Sequence, residues 1–269
     1  MGVDFELDTI PFMEQDHETS VCATSALWTF LLANNFQNNR FGISPFSITN
    51  IALTQNHVCN EDIVAPGFTI EMICSCIKEK GLIPLVLETT NNETRNLLEL
   101  IHIYLKSGYP VILGLQVFSN LEDIDDKEKS IGAHAVTVVG DKLSESKIYI
   151  HDDRIGFYAS LKNEDKYWRL EYTDSISRVQ QKLEDEFYLI TDFVTGVYPK
   201  IRLPVSDVQT FNEKLISDLD LYVGKIDSKY KMFIQNLNAE TYIIESSKLK
   251  TEVRNNYGTY KNNVDEFLY

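Results

Sequence analysis

At 269 residues, with 43% hydrophobic residues and a formal net charge of −15, the chain can bury a sizeable core and is not a disordered polymer. The acid lies toward the front: residues 1–160 hold 22 Asp and Glu against 10 Lys and Arg. That balance argues against a nucleic-acid partner, which needs clustered Lys and Arg, and would modestly attract a basic peptide.

No apolar run approaches the ~18 residues that a bilayer span requires, and no basic segment followed by an apolar stretch opens the chain. Four cysteines are too few to be a disulfide framework at this length. A cytoplasmic protein with no membrane role is the expectation.

In chain order, Ala23, Ala26, Leu27, Phe30 and Leu31 recur at helical spacing, with Thr19 or Ser20 placed to cap the helix and Asn34-Asn35 to end it. Ser44 to about Thr54 reads as a short helix, and Gly67 to Lys80 as a third, stopped by Gly81. Pro84 to Glu88 is a strand. Glu93 to Lys106 is a helix that turns Leu97, Leu98, Ile101 and Leu105 inward. After the turn at Gly108-Tyr109-Pro110, Val111 to Val117 is strongly β-prone. Asp123 to Lys129 is a charge run, read as a solvated loop.

Gly132 to Asp141 and Ile148 to Asp153 form a hairpin pattern, with strands also expected at Tyr167 to Tyr172 and Phe187 to Ile190. Pro199 and Pro204 mark a boundary. Beyond it, Val208 to about Val223 and Ile244 to Arg254 read as helical. Helices first and strands later point to an α+β fold. The expected division is a domain over 1–204 and a helical C-terminal extension over 205–269, complete or cut short. Its apolar positions Phe211, Leu215 and Leu219 suit packing against the body or a partner chain.

Three residues bring chemistry. A thiol at a helix N-terminus, as for Cys22, feels the positive end of the backbone dipole, which favours the thiolate. A histidine on a separate strand, His134, can exchange its proton, and a carboxylate on the next strand can hold the imidazole. With the hairpin turn centred near residues 143–144, His134 falls opposite Asp152 or Asp153, within ~5 Å for directly paired residues. Side-chain alternation admits only one of the two acids to its face, and a one-residue slip exchanges them. Turn formation before Arg154-Ile155-Gly156 accounts for the other.

His57, Cys59, Cys74 and Cys76 are soft ligands in number but not in spacing. On a helix, Cys74 and Cys76 project about 200° apart. No metal or cofactor is expected. His17 and His151 are candidates to line a cleft, and His102, on an amphipathic helix, reads as structural.

The set Gln15, Cys22, His134 and Asp152, carried in Gln15-Asp16-His17-Glu18-Thr19-Ser20-Val21-Cys22, Gly132-Ala133-His134-Ala135-Val136-Thr137-Val138-Val139-Gly140 and Ile148-Tyr149-Ile150-His151-Asp152, resembles papain-like cysteine peptidases. The similarity is greatest to the bacterial branch often called C39-like, and it covers roughly residues 9–160. It implies a papain-like fold, in which a helical lobe carrying the nucleophile helix packs on an antiparallel β-sheet lobe.

It also implies Cys22 as nucleophile, His134 as base, Asp152 as the orienting acid and Gln15 in the oxyanion hole. The substrate would be a protein or peptide, cleaved at a peptide or isopeptide bond. One departure stands: the family places Gln six residues before Cys, whereas Gln15 stands seven before Cys22 and Asp16 takes the usual place. Either the loop bulges by one residue or another donor serves. The same triad suits an amidase or a transglutaminase-like acyl transfer. The shifted Gln and the acidic surroundings also leave open an inactive peptidase-like interaction module.

Overall fold

The computed structural model describes residues 10–14, 22–35, 43–55, 67–89, 94–171, 186–199, 205–223 and 251. The chain divides into two compact units, 1–210 and 211–269. The first unit begins with three helices, α1 (Cys22–Asn35), α2 (Pro45–Gln55) and α3 (Ile70–Glu79). Strand β1 (Ile83–Glu88) and helix α4 (Thr94–Lys106) lead into β2 (Val111–Phe118), β3 (Gly132–Lys142), β4 (Lys147–Asp152), β5 (Gly156–Asn163), β6 (Trp168–Glu171) and β7 (Phe187–Val197). Helix α5 (Val205–Val223) runs across the unit boundary, and its Phe211 and Leu215 are exposed. The expected helix at 244–254 lies outside the described residues apart from Thr251, which is helical.

The strands follow the order β1-β7-β2-β3-β4-β5-β6, and all neighbours are antiparallel. Trp168 of β6 returns to pair with Tyr188 of β7. That pairing closes β2 to β7 into a six-stranded barrel, with β1 appended to β7. The fold is therefore α+β, as the order of helices and strands predicts. Strand β7 is longer than the expected 187–190, because Thr191-Asp192 interrupts its apolar run without ending it. A register shift at Gly114/Leu115 of β2 absorbs the irregularity. Gly114 makes room there: a Cβ would lie 2.9 Å from Asp192 Oδ2.

Helices α1 to α3 share one core with the sheet. Leu27, Phe30 and Leu31 of α1, Ile48 of α2 and Ile73 and Ile77 of α3 pack with Ile112 of β2 and Val194 of β7. Each such side chain, fully buried, contributes about 1.5–3 kcal/mol over an exposed one. Helix α3 starts at Ile70 rather than Gly67 because Thr69 caps it by accepting from the Met72 N–H, while Gly67 sits at a φ of 69° that suits a turn. Alternation along β7 sends Phe193 to the opposite face from Val194, and there Phe193 meets Tyr104 of α4 with ring centroids 5.4 Å apart. Helix α4 thus covers the other side of the sheet. The charge run at 123–129 folds into two short 3-10 turns, with Ile124 buried and Lys129 bonded to Asp123 at 2.8 Å.

Candidate active site

Cys22 is the first residue of α1, so its thiol stands at the end of the helix where backbone N–H groups are free. The helix is held from behind by Leu27 and Phe30, both fully buried. Ala23, Thr24 and Ser25 are buried too, and their small side chains let strand β3 approach. The Cys22 thiol interacts with the His134 imidazole and the Ala135 backbone N–H, both of which favour the thiolate.

His134 Nε2 lies 3.0 Å from Asp152 Oδ2 and 3.5 Å from Asp153 Oδ1, and the His134 side chain is 4% exposed against 2% for each acid. Neither contact follows a straight N–H···O line, so the cluster is a close ionic contact rather than a well-aligned hydrogen bond.

Both acids reach His134 for a reason of register. Thr137 pairs with His151 and Val138 with Ile150, after which the register shifts so that Gly140 pairs with Tyr149. Together with the 3-10 turn at Leu143–Glu145 and Ser146 in the left-handed region, that bulge moves the hairpin by one residue from the expected pairing. Continued toward the site, the observed register sets Asp152 across from Val136, on the face that His134 shares. The expectation that only one acid can face His134 is corrected here. Asp153 lies beyond the end of β4, in the turn to β5, where strand alternation no longer governs its direction.

The ionisations are coupled. Burial works against a charged His134, but the Asp152 carboxylate overcomes it and holds the imidazole at about 9. For Asp152, too, burial opposes charge, and His134 and then Arg154 outweigh it, so this carboxyl sits well below the usual carboxylate range. Burial pushes Asp153 up, with the adjacent Asp152 charge acting in the same direction. Burial is the largest influence on Cys22 and opposes the thiolate, yet His134 and the Ala135 N–H together outweigh it and the thiol ends below its ordinary value. The acidic surroundings, which argue for a raised thiol from sequence alone, act through Asp153 only as a minor opposing charge. The arrangement favours a thiolate–imidazolium pair, a nucleophile beside a proton donor.

Arg154 is the residue that sequence reading passed over. Its backbone N–H donates to Asp152 Oδ1 at 2.8 Å, and its Nη2 lies 3.5 Å from Asp152 Oδ2. Nη1 reaches Glu186 at 3.4 Å, and Glu186 accepts from the Tyr188 hydroxyl at 2.7 Å. An arginine two residues after the acid is a visible signal; its distant partner Glu186, just before β7, is not. His134, Asp152 and Asp153 offer three ligand atoms within 4.8 Å of one another. The guanidinium beside Asp152 opposes a second cation, so the cluster reads as a charge network.

The remaining candidates fall elsewhere. Gln15, His17, His57 and Cys59 lie outside the described residues. His151 is buried between Phe12 and Tyr158, with ring centroids 5.6 and 5.2 Å away, and burial pushes its pKa down. His102 Nδ1 bonds Asp141 Oδ2 at 2.8 Å and ties α4 to β3. Cys76 is buried, its thiol donating to the Ile48 carbonyl, and burial pushes it up to about 12. Burial raises Cys74 as well.

No protein-family model matches the chain, and no curated protein matches it. Among solved structures it is similar to the peptidase domain of Streptococcus ComA, a bi-functional ABC transporter involved in a quorum sensing pathway. The TM-score is 0.35 at 12% identity, over 70% of this chain and 99% of that one. A likeness that distant transfers neither fold nor activity, and function is read from the site itself.

Proposed function

We propose that the protein is a thiol acyl-transfer enzyme acting as a cysteine peptidase, with Cys22 as nucleophile, His134 as general acid and base, and Asp152 as the orienting acid. The supporting observation is the Cys22 thiol at the start of α1, lowered by its interaction with a buried His134 that lies 3.0 Å from Asp152. The thiolate attacks the carbonyl carbon of a peptide or isopeptide bond and forms a C–S bond. His134 gives its proton to the departing amine as the C–N bond breaks. A water then loses a proton to His134, attacks the thioester and releases the acid, restoring the thiolate–imidazolium pair.

The Cys22 backbone N–H, in the first turn of α1, is one proposed donor to the tetrahedral oxyanion, and Gln15 is the second. The peptidase unit is taken as 1–204, with 205–269 as a helical extension available to a partner chain. The acidic body suits basic peptide substrates in a cytoplasmic setting.

A host lysate treated with wild type or Cys22→Ala, followed by mass spectrometry of protein N-termini, tests the reading. New N-termini present only with wild type are expected. Cys22-dependent acyl adducts on added amines, without new N-termini, would replace hydrolysis by transfer. Equal N-terminal profiles with no thioester adduct on Cys22 would overturn the assignment.

A further inference from the structure

Two adjacent carboxylates meet the same imidazole nitrogen, at 3.0 and 3.5 Å, and both are almost wholly buried. Their surroundings differ. Asp152 accepts from the Arg154 backbone N–H and faces the Arg154 guanidinium. Asp153 has neither contact, and both of its carboxylate oxygens are buried with no hydrogen-bond partner among the described residues.

Arg154 is itself fixed from behind by Glu186, which Tyr188 holds. Among the described residues, the charged groups facing the pair are Cys22 from α1, His134 from β3, Arg154 from the turn and Glu186 before β7. His151, on β4, faces Phe12 and Tyr158 instead. With a thiolate at Cys22, the anions Cys22, Asp152 and Glu186 outnumber the cations His134 and Arg154 among the described residues. An ionised Asp153 would add a further buried negative charge that shares His134 with Asp152 and has no hydrogen-bond donor among the described residues, which is costly.

We propose that Arg154 is a positioning residue that sorts the two carboxylates, fixing Asp152 as the anion that orients His134 and leaving Asp153 as the protonated neighbour. The inference rests on the Cys22–His134 pairing proposed above, and it adds how one acid is chosen when both are within reach. Burial raises Asp153 while Arg154 and His134 lower Asp152, the same order that the geometry gives. Without the guanidinium the preference for charge on Asp152 narrows, leaving only the Arg154 backbone N–H and the shorter His134 contact to favour it.

The test reads Cys22 alkylation by iodoacetamide at pH 6, in the full chain, with the Cys22 peptide followed by mass spectrometry. At that pH an ordinary thiol is almost wholly protonated, so the rate reports the ion pair and needs no substrate. Asp152→Ala is expected to slow alkylation at least tenfold more than Asp153→Ala does. In an Arg154→Met background that ratio falls below about threefold, and Arg154→Lys, which keeps a cation, restores most of it. A ratio unchanged by Arg154→Met would overturn the proposal, as would equal effects of the two alanine variants in the wild-type background.

Carboxyl ¹³C NMR of aspartate-labelled wild type, assigned by difference with Asp152→Asn and Asp153→Asn, covers the case in which Arg154→Met does not fold. Asp152 should titrate below Asp153; the reverse order rejects the idea. Loss of proteolysis with these titrations intact would sink the proposed function and leave the sorting role standing.

Discussion

The Thr137 hydroxyl donates to the Ala26 carbonyl across 2.6 Å, in a fully buried bond between residues 111 apart in sequence. Ala26 is one helical turn beyond Cys22, and Thr137 is three residues beyond His134. The bond therefore fixes the helix that carries the thiol against the strand that carries the imidazole, at a short lever arm from both. Thr137→Val keeps the shape and removes the donor. We expect a loss of about 1 kcal/mol in denaturant unfolding. A fall of several-fold in Cys22 alkylation at pH 6 should accompany it, because helix and strand would no longer be held at one offset. A stability loss with unchanged alkylation would mean that the bond supports the fold but not the site.

Cys22→Ala and His134→Ala should each abolish turnover while leaving the far-UV circular dichroism unchanged. If Cys22 and His134 act as a unit, as proposed, the double variant should be no slower than either single one. Losses that multiply in the double variant would show that the two side chains act in separate steps.

The pH dependence follows from the direction of the two shifts. Cys22 is lowered and His134 is raised to about 9, so the ion pair exists from the lowered thiol ionisation up to about pH 9. Acyl-enzyme formation needs both the thiolate and the imidazolium proton. Its rate should rise with the thiol ionisation and fall as His134 loses its proton near pH 9, both limbs belonging to the coupled pair. Alkylation needs only the thiolate and should lack the alkaline fall. In His134→Ala the acid limb of alkylation should move up toward the ordinary thiol range. A limb that stays in place would show that the helix end, rather than the histidine, activates the sulfur.

Gly196 sits where β7 passes beneath the helices. A Cβ at that position would lie 2.9 Å from Ile77 Cγ2, 3.1 Å from Leu82 Cδ1 and 3.2 Å from Phe30 Cζ. Gly196→Ala should cost roughly 1–3 kcal/mol, as for other overpacked cores, seen as a lower melting temperature. Displacement of Phe30 would also reach α1. A melting temperature equal to wild type would mean that Ile77 and Leu82 move aside without strain.

Helix α1 and strands β2 and β3 are legible in sequence because each carries a long apolar period that tertiary context does not override. Strand β5 escapes such reading. Phe157 on it is 65% exposed and Tyr158 has a φ of 57°, so its pattern does not resemble a half-buried strand. The nearness of Asp152 and His134 is legible from the hairpin alone, but the choice between the acids is not. It turns on a bulge between Val138 and Gly140, which Gly140 permits without announcing. The role of Arg154 depends on Glu186, 32 residues away, a contact that no local pattern encodes.

The order in which the sheet is assembled has a consequence for the newly made chain. Strand β7 is the last of the sheet to be synthesised, yet it pairs with β1, β2 and β6. Those non-local pairings must wait, and their loop closures form slowly. A chain stopped at Glu171 already contains Cys22, His134 and both aspartates but lacks the strand that closes the barrel and pairs with β1. Its thiol should alkylate at the rate of an ordinary cysteine. On the proposed reading of the site, activation of the Cys22 thiol would therefore await the strand that is made last.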